Sequence, residues 1–311
     1  LNNKETNYMS KIRAAVTAVE GYVPDYILTN DELSRMVDTN DEWIMTRIGI
    51  KERRILKGEK GPSDMAEIVV KRILEKKNLS PDSIELVICC TVTPDMVFPA
   101  TANIIAHKCG IKNGFGFDVN AGCSGFLYGL TTASKYIESG FVKRALVIGA
   151  EKMSAIVNYE DRATCPIFGD GAAGVLLEAT EEPYGLMDEI LCSDGEGVKH
   201  LHQVAGGSVK PATHETVDAR EHFIYQEGQA VFKWAVVKMA EATEEVMRRN
   251  NLTSEDISFL LPHQANLRII KATGSRLQLP DDKVLEKKKK YGNTTSATIP
   301  MLMYENQNKF K

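Results

Sequence analysis

The sequence has no long apolar run, no excess of charge of one sign and no paired cysteine motif, and each absence excludes a class of protein. No stretch has the roughly 20 consecutive apolar residues that a transmembrane helix needs, and the first residues lack the pattern of a secretory signal. A formal net charge of −4, with both signs interspersed, offers no overall attraction for nucleic acid or for a membrane surface. We therefore expect a cytoplasmic protein that binds neither.

Six cysteines are scattered along the chain, and none belongs to a C-x-x-C pair. The spacing of a structural zinc site is absent, so no metal is expected. In a reducing compartment most of these thiols should be small buried apolar residues rather than disulfide partners. A chain of 311 residues with 43% hydrophobic composition can bury a large core, as one domain or as two fused halves.

The chain contains an internal repeat. Asn78–Cys90 (NLSPDSIELVICC) aligns without gaps with Asn251–His263 (NLTSEDISFLLPH), 173 positions further on (251 − 78). Each segment follows an amphipathic helical pattern, Asp64–Lys77 and Gly228–Arg249, and each continues as a short apolar strand. Helices that alternate with apolar strands predict an α/β architecture with covered sheets.

The same spacing relates a second pair of segments. Asn120–Gly125 (NAGCSG) aligns with Asn293–Thr298 (NTTSAT), with Cys123 opposite Ser296. A period this long indicates a duplicated half-domain rather than a solenoid repeat. Equivalent loops of two such halves can face each other across one cleft, which predicts that Cys123 meets both His263 and the second loop.

Cys123 is the candidate nucleophile. It follows a predicted strand, Phe115–Asn120, and precedes a predicted helix, Gly125–Ser139, so it lies at a strand-to-helix turn among small residues. The positive end of the helix dipole should lower the pKa of a thiol there, and backbone N–H groups of the turn could stabilise an oxyanion. The alternative, from this motif alone, is a small core cysteine beneath a tight turn.

His263 and Asn293 are candidate hydrogen-bond donors. His263 ends the second apolar strand, before a predicted helix at Leu267–Leu279, and its neutral imidazole could donate to a developing negative charge. Asn293 lies in a loop or at a helix start, where its amide could donate without adding charge. Taken singly, the histidine could equally cap the next helix and the asparagine could serve only a turn.

Five stretches occur in an order typical of one enzyme family: DTNDEWIMTRIGIKERR, DVNAGCSGF, IFGDGAAG, LPHQANLRII and YGNTTSATIP. Together they resemble the β-ketoacyl-acyl-carrier-protein synthase III family, from about Lys11 to about Lys311. The resemblance implies the thiolase-like fold, in which two duplicated α/β halves form a five-layer αβαβα arrangement. It agrees with the internal repeat, which by itself predicts only α/β with two halves.

These patterns together divide the chain into three parts. We expect a disordered extension at residues 1–8, a first half at residues 9–180 with the nucleophile, and a second half at residues 181–311 with the histidine and asparagine. Members of the family usually continue with another strand and a glycine-rich segment of FGGGFTWG type, which this sequence does not contain. The second half is therefore expected to lack its last strand.

The resemblance implies a chemistry in two steps. The residue matching Cys123 takes an acyl group from acyl-coenzyme A as a thioester, and malonyl carried on acyl carrier protein then loses carbon dioxide and attacks that thioester. The residues matching His263 and Asn293 donate hydrogen bonds to the malonyl thioester oxygen as it becomes enolate-like. No permanently bound cofactor is implied, because acyl-coenzyme A is a substrate.

The resemblance also implies a nucleotide site. Trp43 and Arg47 match an aromatic plane and a guanidinium that sandwich the adenine of coenzyme A, and Arg162, Gly228 and Asn266 match further positions of that site. Without the family, Trp43 would be interpreted as a core residue on a helix face.

Contacts with other proteins are implied in the same way. Phe98 matches a residue that closes the partner's acyl pocket across a homodimer interface, and Phe168 matches another pocket residue. A set of basic residues matches the region that docks the acidic helix of acyl carrier protein: Lys233, Arg268, Lys271 and Arg276. The alternative for this set is a solvated helix face.

Two alternative functions stay open. A specialised relative could load a different acyl group for a secondary metabolite, and a panel of acyl-coenzyme A donors would separate it from a fatty-acid enzyme. A non-catalytic dimer partner could use the fold as a scaffold, and the absence of an acyl adduct on Cys123 would favour it.

Overall fold

The structure, a computed structural model, describes residues 12–286 and 289–310. The predicted extension at residues 1–8 lies outside the described residues. The strands are β1 Arg13–Tyr22, β2 Ile27–Thr29, β3 Glu52–Arg54, β4 Leu86–Cys90, β5 Phe115–Val119, β6 Arg144–Glu151, β7 Gly171–Thr180, β8 Leu201–Gln203 and β9 Ile224–Gln226. The helices are α1 Asn30–Leu33, α2 Asp41–Arg47, α3 Pro62–Lys77, α4 Thr101–Lys108, α5 Gly125–Glu138, α6 His214–Asp218, α7 Gly228–Arg249, α8 Leu267–Arg276 and α9 Thr298–Glu305.

One mixed sheet organises the first half, with the strand order β1-β7-β6-β4-β5. β4 pairs in parallel with both β5 and β6, whereas β7 pairs antiparallel with β6 and with β1. The short pairs β2–β3 and β8–β9 lie outside this sheet. Across residues 12–286 and 289–310, no helix combines the length and apolar character needed to cross a bilayer.

Both faces of the sheet are covered by helices. Along β4, Val87 and Cys89 pack into a cluster with α3 and α4, while Leu86, Ile88 and Cys90 pack into a cluster with α5 on the other face. Each of these five side chains is fully buried. Burial on both faces explains why this strand reads as a continuous apolar run rather than an alternating one.

The second predicted apolar strand, residues 257–263, is not a strand in the structure. Leu260 instead forms an isolated parallel bridge with Val284, closed by bonds from the Leu260 N–H to the Lys283 carbonyl and from the Leu285 N–H to the Leu260 carbonyl. A strand requires consecutive pairings, and the described residues beside this segment supply one bridge. The strand prediction for residues 257–263 was therefore wrong, because apolar composition does not show whether a neighbouring strand is present to pair with.

The helix before that segment, α7, has the predicted bounds but not the predicted burial. Ala240 is the one residue in it that is buried within the described part of the chain, and Trp234 and Val237 are exposed. The apolar periodicity of α7 correctly predicted the helix, but the described residues cover little of its apolar face.

The internal repeat is visible in the backbone. Asn78 and Asn251, 173 positions apart, both have left-handed conformations, with φ of 50° and 54°. The 3₁₀ turns Gly122–Ser124 and Thr295–Ala297, at the same spacing, lead directly into α5 and α9, and the first residue of each has φ of 55° and 50°. Asn78, Asn251 and Thr295 are L-residues in a conformation that L-residues rarely adopt, and the match supports the prediction that the two halves are related.

Candidate active site

Three parallel strands end at one edge of the sheet and bring the candidate residues towards each other. β4, β5 and β6 run in the same direction, so their carboxyl ends share that edge. Thr91 follows β4, Glu151 is the last residue of β6, and Cys123 follows β5 by four residues. The edge therefore collects side chains from three separated parts of the chain.

Cys123 lies where the sequence predicted, at the turn between β5 and α5. It is the middle residue of the 3₁₀ turn Gly122–Ser124, and the side chain of Cys123 is partly exposed. Gly122 has φ of 55°, and a Cβ on it would meet nothing within 4 Å, so the approach to the turn is open on that side. The predicted strand, turn and helix are confirmed in this order.

The expected lowering of the thiol pKa is wrong. Although Cys123 as a residue is partly exposed, its thiol is surrounded by protein atoms. This burial of the sulfur, together with the negative charge of Glu151, raises the pKa of Cys123 to about 12. Hydrogen bonds to the thiolate from the Asn293 side chain and from the residue's own backbone act in the opposite direction but do not outweigh the burial. α5 begins two residues later, at Gly125, so Cys123 precedes the helix rather than lying within its first turn.

Asn293 is brought to Cys123 by a series of hydrogen bonds. Its backbone N–H donates to the Ile167 carbonyl at 2.8 Å, and its carbonyl accepts from the Gly169 N–H at 3.0 Å, on either side of a parallel bridge with Phe168. Its side-chain Oδ1 accepts from the Thr295 N–H at 2.8 Å, which leaves the amide nitrogen as the donor. The Asn293 side chain is close enough to the Cys123 thiol to lower its pKa by hydrogen bonding, which supports the predicted meeting of these two residues.

His263 is half-buried, and both of its ring nitrogens are shielded from solvent. The next residue, Gln264, is anchored by its amide, which donates to the carbonyls of Pro262 and Leu285. This anchorage limits the positions available to the imidazole. Its approach to Cys123 stays a prediction.

The nucleotide residues form a connected surface around α2. The Arg162 guanidinium lies over the Trp43 ring, 4.7 Å from its centroid, and its Nη1 is 3.5 Å from Asp38. Arg47 is exposed at the end of α2, and the guanidinium over the indole belongs to Arg162. The sandwich of an adenine between Trp43 and Arg47 stays a prediction. Asn266 caps α8 and its Nδ2 donates to the Arg47 carbonyl at 3.2 Å, which joins the loop after His263 to α2.

Gly228 and the two phenylalanines occupy different environments. Gly228 begins α7 and is exposed, with open space where a Cβ would be. Phe168 is 5% exposed in a core cluster and adjoins Asn293 through the bridge described above. Phe98 is 85% exposed, and its neighbour Val97 is 94% exposed.

The four basic residues are exposed on α7 and α8, but they are not equivalent. The Arg268 guanidinium lies 5.0 Å from the centroid of the Phe232 ring. Arg276 forms a two-point ion pair with Glu244, at 2.8 and 2.7 Å. Its charge is therefore partly neutralised, which the sequence analysis did not predict.

Glu151 was missed by the sequence analysis. It is fully buried, and its carboxyl group contacts Thr91, Val92 and Thr93 after β4 and Ser296 in the second loop. The sequence contained a signal for this residue. Glu151 directly follows the apolar run ALVIGA, which predicts a buried strand, and a carboxyl group at the end of such a strand is costly to bury unless polar partners surround it.

The chain is similar to known proteins of one family. A family profile described as 3-oxoacyl-[acyl-carrier-protein (ACP)] synthase III matches residues 117–195, and its C-terminal counterpart matches residues 247–311. The chain is similar to the β-ketoacyl-[acyl-carrier-protein] synthase III of Phocaeicola vulgatus, with 53% identity over 304 residues, which are 97% of this chain and 91% of that relative.

Solved structures show the same similarity as the sequences. The fold is similar to that of 3-oxoacyl-[acyl-carrier-protein] synthase III from Aquifex aeolicus, with a TM-score of 0.86 and 39% identity over 95% of this chain and 91% of that one. It is also similar to the priming β-ketosynthase of the R1128 polyketide biosynthetic pathway, with a TM-score of 0.83 and 31% identity over 94% and 86% of the two chains. The predicted α/β, thiolase-like fold is confirmed by these matches.

Proposed function

The chain belongs to the β-ketoacyl-acyl-carrier-protein synthase III family, and from this premise we propose that it starts fatty-acid synthesis. The reaction is the decarboxylative condensation of an acyl-coenzyme A primer with malonyl-acyl carrier protein. The observation that carries the proposal is the hydrogen bond between the Asn293 side chain and the Cys123 thiol at the carboxyl edge of parallel strands. Acyl-coenzyme A enters as a substrate rather than as a resident group.

In the first step, the Cys123 sulfur attacks the thioester carbon of the primer. Its S–C bond forms as the bond to coenzyme A breaks, and the proton lost by Cys123 is taken up by the departing thiolate. Because the pKa of the resting thiol is raised, Cys123 is neutral near pH 7 before substrate binds. Its proton therefore leaves during the transfer and not beforehand.

In the second step, the malonyl group loses carbon dioxide and its electron pair moves onto the thioester oxygen. We assign Asn293 and His263 as the donors to that oxygen, since neutral donors can stabilise the charge without preventing its formation. The enolate carbon then attacks the carbonyl carbon of the Cys123 thioester and the bond from that carbon to the cysteine sulfur breaks. The leaving thiolate takes up one proton from water, which restores the Cys123 thiol. Each donor of this kind contributes roughly 3 kcal/mol in comparable sites.

Coenzyme A is proposed to bind on the surface around α2. Trp43 supplies an apolar plane, and the Arg162 guanidinium now stacked on it would move outward to admit an adenine. Arg47 and Asn266 border this surface. Gly228, at the start of α7, is included because it matches a position of the family's nucleotide site. Coenzyme A titration should show quenching of Trp43 fluorescence that Trp43→Phe removes, and unchanged binding by Trp43→Ala would contradict the assignment.

Acyl carrier protein is proposed to dock on α7 and α8 through Lys233, Arg268 and Lys271. Arg276 should contribute less, because Glu244 already pairs with it. Arg268→Glu should weaken carrier-protein binding about 10-fold more than Arg276→Glu at low salt. Equal effects would indicate a uniformly basic face instead.

A homodimer is proposed from an exposed edge. β5 is one of the two edge strands of the sheet, and the apolar residues Val97 and Phe98 are both strongly exposed to solvent. A second subunit covering this edge would bury them and present Phe98 to the partner's acyl pocket. A monomeric mass by light scattering at micromolar concentration would contradict this assembly.

The experiment that tests the main proposal is intact-mass spectrometry after incubation with acetyl-coenzyme A, followed by addition of malonyl-acyl carrier protein. An acetyl adduct on Cys123 that disappears as 3-oxoacyl product forms is expected. A folded protein without the adduct would exclude the enzyme and leave the scaffold role. The likeness to a polyketide-priming enzyme supports one second candidate, a primer other than acetyl, and a panel of acyl-coenzyme A donors distinguishes it.

A further inference from the structure

Glu151 joins both halves of the candidate site. Oε2 of its carboxyl group accepts from the Thr93 hydroxyl at 2.7 Å, from the Thr91 hydroxyl at 3.1 Å and from the N–H groups of Val92 and Thr93 at 3.1 and 3.2 Å. Oε1 lies 2.8 Å from the Ser296 hydroxyl and 3.5 Å from the Ser296 N–H. The carboxyl group thus fastens the turn at residues 295–297 to the loop after β4.

That turn determines where the Asn293 amide points. Ser296 is adjacent to Thr295, whose N–H donates to Asn293 Oδ1 and so directs the amide nitrogen to the Cys123 thiol. Thr295 has φ of 50°, an uncommon conformation for a β-branched residue that the surrounding contacts must maintain. Loss of the Ser296 anchor would release the turn and the amide together.

We propose that Glu151 is a positioning residue, which holds Ser296 and thereby aims the Asn293 amide at the reacting sulfur. The inference rests on the proposed function, because it assigns the amide to the condensation step. Glu151 touches no substrate in this scheme and acts only through the turn. Ser296 aligns with Cys123 in the internal repeat. In this proposal, the first half has the nucleophile at this position, and the second half has the serine that anchors the turn to Glu151.

Ser296 can donate only one proton. Its Oγ lies 2.6 Å from the Cys90 carbonyl oxygen and 2.8 Å from Glu151 Oε1, so it donates to one of these at a time. Oε1 also accepts from the Val92 N–H at 3.2 Å. Burial raises the pKa of Glu151, while the hydrogen bonds from Thr93, Ser296, Val92 and Thr91 act in the opposite direction. In Glu151→Gln, the amide N–H can donate to Ser296 while Ser296 donates to Cys90, so the anchor is retained.

The test compares Glu151→Ala, Glu151→Gln and a matched control, Glu85→Gln. Glu85 also links the strands β4 and β6, through the N–H groups of Lys143 and Arg144, but at the opposite end from the site. Each variant is assayed separately for acetylation of Cys123 and for condensation with malonyl-acyl carrier protein, with circular dichroism as the folding check. Ser296→Ala removes the same anchor with a smaller cavity and serves if Glu151→Ala does not fold.

We expect Glu151→Ala to slow condensation about 50-fold while acetylation changes less than about 3-fold, because the amide acts in the second step. Glu151→Gln, a neutral isostere that can donate to Ser296, should stay within about 5-fold of the wild type. Glu85→Gln should match the wild type in both assays.

A double-mutant cycle separates positioning from general structural damage. If Glu151 acts through Asn293, adding Glu151→Ala to Asn293→Ala should lower condensation by no more than about 2-fold. Additive losses, or equal losses in both steps, would overturn the inference while the proposed function stands. Failure of the wild type to acquire the acetyl group or to condense it would instead overturn the proposed function itself.

Discussion

The turns at residues 122–124 and 295–297 have matching backbones but opposite roles. Each begins with a left-handed residue and leads directly into a helix. Cys123 in the first turn is partly exposed, whereas Ser296 in the second is 1% exposed and bonded to Glu151 and to the Cys90 carbonyl. The two turns thus share a backbone conformation but differ in the burial and hydrogen bonding of their middle residue, and this difference supports Cys123 rather than Ser296 as the candidate nucleophile.

Cys123→Ser should have the largest effect, because it gives both turns a serine at the middle position and removes the candidate nucleophile. We expect acyl transfer to fall below detection, since an alkoxide is far harder to generate than a thiolate. Intact-mass spectrometry with acetyl-coenzyme A measures the adduct. Cys192→Ser, at an exposed cysteine, is the control and should acquire the acetyl group like the wild type. A persistent adduct in Cys123→Ser would place the nucleophile elsewhere.

The raised pKa of Cys123 predicts the next largest effect. The pKa of Cys123 is about 12, compared with 9.0 for an ordinary cysteine. At pH 8 its thiolate fraction should therefore be roughly 1,000-fold lower than that of an ordinary cysteine, and its alkylation should be slower by the same factor. The rate should rise tenfold per pH unit from pH 7 to 10 without a plateau. Iodoacetamide labelling with peptide mapping measures it, with the protein unfolded in urea as the control. A plateau below pH 8 would restore the helix dipole as the dominant influence.

The two turns also separate what sequence could predict from what it could not. The strand, turn and helix around Cys123 were predicted because apolar periodicity and small residues are local signals. The pairing with Asn293 was predicted by the repeat, which relates distant loops. The sign of the thiol pKa shift was wrong, because it depends on burial and on Glu151, which only the packed structure places beside the site.

The second half was predicted less well than the first, again for a physical reason. Residues 257–263 have the composition of a strand, but strand formation depends on neighbours that composition does not describe. The Arg276–Glu244 pair was missed similarly, because helix spacing does not show what a facing helix presents. Helix bounds, by contrast, were predicted closely for α7, since they depend on local pattern.

Gly149→Ala tests how closely the second turn packs on the first half. A Cβ on Gly149 would lie 2.5 Å from the Ser296 carbonyl oxygen and 2.8 Å from the Ala297 Cα, both backbone atoms that cannot rotate away. We expect the free energy of unfolding to fall by about 2 kcal/mol, measured by urea denaturation. Gly207→Ala, where a Cβ meets nothing within 4 Å, is the control. An unchanged midpoint for Gly149→Ala would mean that the second turn moves freely against the sheet.

Ser296→Cys places a cysteine in the second turn, at the position that corresponds to Cys123, and it should have the smallest effect of these variants. A thiol there would stay buried and would donate more weakly to the Cys90 carbonyl, so condensation should fall only about 3-fold. Peptide mapping after incubation with acetyl-coenzyme A should find the adduct on Cys123 alone. In the exchanged variant Cys123→Ser/Ser296→Cys no adduct is expected at either position, because the second turn offers a sulfur without the exposure that substrate needs. Acylation at position 296 would show instead that the shared backbone is sufficient for reactivity, and that burial does not decide between the copies.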